Sequence, residues 1–213
     1  RLQPRYDGGT KGDSIVKPNR RIFEKYDYEY VSAQTSRGCP MDCSFCSVTV
    51  FNGRLFRMRG VDDVVAELAA IPQRDIIFVD DDLNGFSRKA RQRCVELFRA
   101  MADAKLDKRW ITQVTINFGD DDELPELARA SGCAGVFIGL ESTDTKSLTL
   151  IRKDGTSQRR GVDYYRENIA RIGPLALRVL ELSRHPDGLV GVDAEQGVAE
   201  MQPPTGCVRQ RLL

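Results

Sequence analysis

The stretch Asp75-Ile-Ile-Phe-Val-Asp-Asp-Asp-Leu-Asn-Gly85 decides the fold. Ile76–Val79 is a short apolar run of β-branched and aromatic residues, which suits a buried strand. It stops at three carboxylates and a glycine, where the chain must turn. On both sides the period changes. Val61, Val64, Val65, Leu68 and Ile71 fall at helical spacing upstream, so 61–71 is expected to be an amphipathic helix. Ala90, Cys94, Leu97, Phe98 and Met101 give a second helix face downstream.

The same alternation extends outward. Tyr30–Thr35 and Trp110–Ile116 read as strands, and Gly135–Gly139 as a fourth. Leu124 and Leu127 mark a short helix opened by the acidic run Asp120–Glu123, which suits a helix N-terminus. Asp163–Ile172 is the last helix. Four strand-then-helix units in series imply an α/β fold of parallel strands with right-handed crossovers, either an open doubly wound sheet or a βα barrel. In both, ligands collect at the C-terminal ends of the strands, so the loops after the strands are where chemistry is expected. Residues 1–29 carry no periodic segment and read as a linker or the end of an upstream domain. Residues 173–213 lose the pattern and contain no Lys, and they read as an atypical, disordered or frame-shifted tail.

The 213 residues carry 32 Lys plus Arg against 31 Asp plus Glu, a balance that gives no electrostatic case for nucleic acid. No apolar run approaches the roughly 18 residues that a membrane span needs. Three of the six cysteines crowd into Cys39-Pro-Met-Asp-Cys43-Ser-Phe-Cys46, and Cys94, Cys133 and Cys207 are scattered. That asymmetry favours a reduced compartment, here read as the cytoplasm, and a ligand cluster over a disulfide framework. Cys94 and Cys133 read as small buried hydrophobes. Three thiolates within eight residues can converge on one centre. A four-iron cluster normally takes four cysteines, and three leave one iron open, as catalysis requires. A structural zinc site would be closed by four ligands, and His185, the single histidine, lies in the irregular tail. A non-catalytic zinc or iron–sulfur module, or an inactive fragment, stays open on these residues alone.

The stretch Gln34–Cys46 resembles the radical S-adenosylmethionine (SAM) superfamily, whose hallmark is this C-x3-C-x-aromatic-C loop. Ser47–Arg59, Phe78–Gly85 and Gly135–Ser142 are similar to its cobalamin-binding group, which includes hopanoid methylases. The resemblance covers about residues 28–172. It implies a (β/α)6 partial TIM-type barrel, of which four units are recognisable in this chain. It implies a [4Fe-4S] cluster on Cys39, Cys43 and Cys46, with SAM on the open iron. Reductive cleavage to a 5′-deoxyadenosyl radical would follow, with radical methyl transfer as the parent-like activity. It further implies an electron donor such as flavodoxin or ferredoxin, and a small, lipid-like substrate. Cobalamin belongs to a full-length relative, on a domain upstream of residue 1.

The resemblance also implies roles by position. Phe45 precedes the third cysteine and would lie near the adenine, or simply pack the loop. Asp80, Asp81 and Asp82 stand where relatives carry a Gly-Gly-Glu-like motif for the methionyl ammonium. Asp82 aligns with the third position, and a solvated acidic loop is the plainer reading. Glu141, followed by Ser142, falls where relatives place a polar residue on the ribose. Gln113, Thr115 and Asn117 alternate with apolar neighbours, as a half-wet face or a cavity wall would. Lys153 could reach the methionyl carboxylate, although a solvated Arg152–Lys153 pair is the simpler expectation. The expected fifth strand has only a faint echo at Gly188–Asp193. An incomplete barrel leaves strand edges exposed, so marginal stability is expected.

Overall fold

The structure is a computed structural model, and it describes residues 15–21, 25, 26, 28–153 and 161–173 and the backbone of 177–180. In chain order the elements are β1 (Tyr30–Ala33), β2 (Ser36–Arg37), α1 (Val48–Asn52), β3 (Arg57–Met58), α2 (Val61–Ala70) and β4 (Asp75–Phe78). They continue with α3 (Arg88–Asp103), β5 (Arg109–Val114), a 3-10 turn at Ile116–Gly119, α4 (Glu123–Ala130) and β6 (Cys133–Gly139). Then come α5 (Thr145–Leu150), α6 (Gly161–Ile172) and β7 (Leu177–Leu180). One five-stranded sheet runs in the order β1-β4-β5-β6-β7, and every neighbouring pair is parallel. Strand order therefore follows chain order, as in a βα barrel that has not closed.

The strands are less symmetric than a run such as Ile76–Val79 suggests. Ile76 and Phe78 are buried, while Asp75 and Ile77, which alternate with them, are only half-covered. The alternation repeats in β1 and β5. One face of the sheet lies beneath the helices and the other is partly open, which the continuous apolar run did not reveal. On the covered face Trp110 is the hub. Its ring stacks on Phe98 at 5.2 Å and tilts against Phe78 at 5.2 Å, and Phe98 meets Phe118 edge-on at 6.4 Å. The indole N–H donates to the Ser131 carbonyl at 3.0 Å, so the ring is buried with its polar atom satisfied.

The long helix α3 opens on Ser87, whose hydroxyl accepts from the Ala90 N–H at 3.0 Å, an N-cap. Cys94 and Cys133 are buried, as expected of small hydrophobes. Gly119 lies against α6, where an added Cβ would stand 2.7 Å from the Asn168 carbonyl oxygen. Beyond Gly173, residues 177–180 add the fifth parallel strand, paired with β6 from Val136 to Gly139. The expected echo of that strand at Gly188–Asp193 and the rest of the tail lie outside the described residues.

Phe98→Ala removes the ring that joins Trp110 to Phe118, and a buried Phe-to-Ala change costs about 3–5 kcal/mol. Urea unfolding followed by the fluorescence of Trp110, the single tryptophan of the chain, should show the midpoint fall accordingly. A loss below about 1 kcal/mol would mean that the stack is not the core.

Candidate functional site at the C-terminal ends of the strands

Every residue singled out by position lies after the C-terminal end of β1, β4 or β6, or toward that end of β5. The cysteine loop leaves β1 and returns at β3. Its neck is the antiparallel pair β2–β3, with Ser36 opposite Met58 and Arg37 opposite Arg57. Gly38, at φ +88°, closes against the other side of the neck, where an added Cβ would meet the Leu55 carbonyl oxygen at 2.1 Å. Only glycine fits there.

The backbone entering the loop is held by charged side chains. Asp80 Oδ1 accepts from the Thr35 N–H at 2.8 Å, from the Ser36 N–H, and from the Ser36 hydroxyl at 3.1 Å. The guanidinium of Arg59 donates to the Gln34 carbonyl at 2.7 Å. That of Arg93 donates to the carbonyls of Thr35 and Arg59. Arg59 is itself buried and bridges Asp63 and Glu67 at 2.5 and 2.6 Å. Neither Arg59, which closes the quoted stretch Ser47–Arg59, nor Arg93 has a role in the sequence pattern, because each lies in the chain as an ordinary basic residue.

The three aspartates at the end of β4 have separate environments. Asp80 grips β1 and its loop. Asp81 Oδ2 accepts from the Gly38 N–H at 2.7 Å and from the Asn52 amide at 3.1 Å. Asp82 accepts weakly from the Thr115 hydroxyl at 3.4 Å and lies close enough to Cys39 to raise its thiol pKa. Its second oxygen, Oδ2, is buried without a hydrogen-bond partner, as is Oδ2 of Asp80. The backbone N–H groups of Gly85 and Asn84 lie close enough to the Asp82 carboxyl to oppose part of the effect of burial. The reading of a solvated acidic loop is corrected: Asp80 and Asp82 are about 1 and 2% exposed. Burial is the largest cause in each case, raising Asp80 to about 6 and Asp82 to about 7.

Asp82 joins a polar network with Asn84, which sequence reading passed over. Asn84 Oδ1 accepts from the Thr115 N–H at 3.1 Å, and its amide donates to Asn117 Oδ1 at 3.0 Å. Asn117 in turn donates to the Gly85 carbonyl at 3.0 Å. Asn117 and Thr115 thus brace the β4 loop, whereas the side chain of Gln113 is exposed. Phe45 is exposed, and Ser142 accepts from the Asp144 N–H at the start of α5.

After β6, Glu141 sits at φ +56°, a strained conformation for a non-glycine residue. Its carboxylate pairs with Lys153, whose ammonium also donates to the Gly139 carbonyl at 2.9 Å. The expected solvated basic pair is half right. Arg152 is exposed and reaches Asp42, but Lys153 is buried. Burial lowers its pKa, and the Cys43, Cys39 and Cys46 thiols and Asp82 act on it electrostatically. The site therefore gathers three thiols, the buried carboxylates of Asp80 and Asp82, each with one unpartnered oxygen, and the buried ammonium of Lys153.

The three cysteines are partly covered, and none forms a disulfide. Burial, the largest cause, pushes Cys39 up to about 12, and Cys39 and Cys43 each feel the charge of Cys46. Among the described residues no three His, Cys, Asp or Glu side chains are already gathered around a metal position. The donor set is nevertheless what a four-iron cluster with one open iron takes: three soft thiols on one loop beside a buried cation.

Residues 34–176 match the radical SAM superfamily. The chain belongs to the radical SAM superfamily. It is 34% identical over 150 residues to bacteriochlorophyllide d C-12(1)-methyltransferase of Chlorobaculum tepidum, covering 68% of this chain and 31% of that protein. It is 31% identical over 143 residues to hopanoid C-3 methylase of Methylococcus capsulatus, covering 65% and 26%. Among solved structures, the radical SAM methyltransferase TsrM of Kitasatospora setae, with cobalamin and a [4Fe-4S] cluster bound, aligns at a TM-score of 0.58. That likeness is at 20% identity, over 70% of this chain and 27% of TsrM, and it bears on the fold. The chain spans about a quarter to a third of the length of these relatives. The family works with a [4Fe-4S] cluster and SAM, and its partial barrel agrees with the unclosed parallel sheet. No helix among the described residues is long and apolar enough to cross a membrane.

In this radical SAM chain Asp80 and Asp82 keep their protons at pH values where the unfolded chain has lost them. The folded state thus binds more protons between 3.8, the ordinary aspartate value, and about 7. Stability conferred by these two groups falls as pH rises through that window. Asp82→Asn removes one of them. Urea midpoints between pH 5 and 8 should show the variant gaining on the unchanged chain as pH rises, and a pH-independent difference would refute the burial argument.

Proposed function

We propose that this chain is the radical core of a methyltransferase-like enzyme that binds a [4Fe-4S] cluster on Cys39, Cys43 and Cys46. SAM would lie across the ends of β1, β4, β5 and β6. The observation that carries the reading is Asp82. An ionised carboxylate oxygen buried without a donor is costly, and the methionyl ammonium of SAM is a charged donor that would satisfy it. Asp81 has its partners in the loop. Asp80 also leaves Oδ2 buried without a partner, but its other oxygen is committed to the Thr35 and Ser36 N–H groups. Asp82 lies close to Cys39 and Lys153 and takes a weak contact from Thr115, so it is the member of the triplet placed to take the ammonium.

When bound, the cluster supplies the electron that cleaves the sulfonium; this chemistry is the cofactor's, and the protein binds, orients and shields. Lys153 is the cation for the methionyl carboxylate. Glu141 orients Lys153 and offers carboxylate oxygen to the ribose hydroxyls. Phe45, Ser142 and Asn117 stand around the adenosyl moiety, and Gln113 faces the partly open side of the sheet, where a small-molecule substrate would enter. The names of the relatives, a bacteriochlorophyllide d methyltransferase and a hopanoid methylase, support methyl transfer, and the small-molecule substrate proposed here is lipid-like. Cobalamin would be held by a domain of the full-length protein. A flavodoxin or ferredoxin in the cytoplasm would deliver the electron.

Reconstituted anaerobically with iron and sulfide, the chain should take up about four irons and show a cluster chromophore, and Cys43→Ala should lose it. Iron below about one per chain, or stoichiometric zinc instead, would sink the assignment. Asp82→Asn should retain the four irons while binding SAM at least about tenfold more weakly. With dithionite and SAM the unchanged chain should release 5′-deoxyadenosine, and unweakened SAM binding by Asp82→Asn would remove the role given to Asp82.

A further inference from the structure

One carboxylate oxygen of Asp81 takes donors from both sides of the cysteine loop. Gly38, whose N–H it accepts at 2.7 Å, immediately precedes Cys39. Asn52, whose amide it accepts at 3.1 Å, ends α1, the short helix that begins two residues after Cys46. All three cysteines lie between the two donors. The Asn52 carbonyl also accepts from Arg57 at 3.0 Å, so the far side of the staple is tied to β3. The next residue along the chain is Asp82, whose carboxyl lies within electrostatic reach of Cys39 and keeps one oxygen unpartnered. Both members of this arrangement leave the end of one strand, β4, and so their spacing is set by a single peptide unit.

We propose that Asp81 is a positioning residue that staples the cysteine loop shut and fixes its distance from the pocket of Asp82. This rests on the reading of Cys39, Cys43 and Cys46 as cluster ligands. Oδ2 of Asp81 is committed to the loop's own donors. It acts by removing the freedom of the two segments that carry the thiols, as groups supporting a metal's ligands do. Charge assistance makes its bonds stronger than those of a neutral acceptor. An asparagine at 81 would keep the shape and one acceptor oxygen but lose that assistance, while an alanine would release both segments.

The test uses two readouts on the same proteins. In the cluster-free chain, amide hydrogen exchange across residues 38–52 should quicken about tenfold in Asp81→Ala and several-fold in Asn52→Ala, with α3 protection unchanged. In the reconstituted chain, loss of iron to a chelator should be about 10–100-fold faster in Asp81→Ala, with Asp81→Asn between the two. Asn52→Ala leaves the sheet intact and keeps the test open should Asp81→Ala fold poorly. Unchanged exchange in both alanine variants overturns the staple. Quickened exchange with unchanged iron loss overturns its positioning role. Failure of the unchanged chain to take up iron overturns the cluster reading and the positioning role with it, while the exchange arm still shows whether the staple exists.

Discussion

The carboxylate of Asp80, taking the N–H groups of Thr35 and Ser36, is the contact on which the site depends. A strand that leaves its sheet leaves backbone donors and acceptors behind, and buried ones must find partners. Here the donors go to Asp80, and the acceptors at Gln34 and Thr35 go to Arg59 and Arg93. The grip is charge-assisted on both sides, and the guanidinium of Arg59 is in turn balanced by Asp63 and Glu67. Breaking such a chain at one member leaves a buried charge without its complement, which costs more than the pair contributes. The cysteine loop is therefore anchored to the sheet before any ligand is considered, and its thiols start from a defined place.

The barrel core was legible because its signals are periodic. The helix expected over 61–71 is Val61–Ala70, the strand at 75–79 is Asp75–Phe78, and the strand at 135–139 belongs to Cys133–Gly139. What escaped notice is short or lacks a period. The two-residue strands β2 and β3 and the five-residue α1 carry no pattern long enough to detect. Helix α5 hides among Thr and Ser, which compete with helical backbone bonds, and its N-cap Asp144 reads as part of a turn. Strand β7 follows α6 directly, yet Leu177–Leu180 alternates only weakly around Arg178 and sits at the head of an aperiodic tail.

The site was legible in its cysteines and only coarsely in its charges. Three adjacent aspartates read as three like charges in need of one cation. Consecutive residues beyond a strand point in different directions, so each meets a different neighbour. Asp80 meets the backbone of the loop it follows in space, Asp81 meets Gly38 and Asn52, and Asp82 turns toward Thr115 and Cys39. Backbone N–H groups supplied what a cation was expected to supply, and they have no letter in a sequence. The same blindness explains Lys153. Its neighbour Arg152 is solvated, and only the fold reveals that one member of the pair turns inward to Glu141.

Asp82 and Lys153 together show how such a site can be poised. One is a carboxylate whose charge the fold opposes, the other an ammonium whose charge the fold opposes, and both lie within electrostatic reach of Cys39. A ligand bearing an ammonium and a carboxylate on one carbon, as an α-amino acid does, presents the complement of both. Each charge it brings would stabilise a form that burial disfavours, so its binding and the stability of the fold are linked through the same two residues. The chain without its ligand carries that unfavourable burial as a standing cost, and Glu141 offsets part of it by pairing with Lys153. Oδ2 of Asp80 and Oδ2 of Asp82 both lack such a substitute. Asp80, however, holds the loop backbone through its other oxygen, while Asp82 takes the weak Thr115 hydroxyl and lies close to Cys39 and Lys153. It is therefore at Asp82 that occupancy of the site has the most to change.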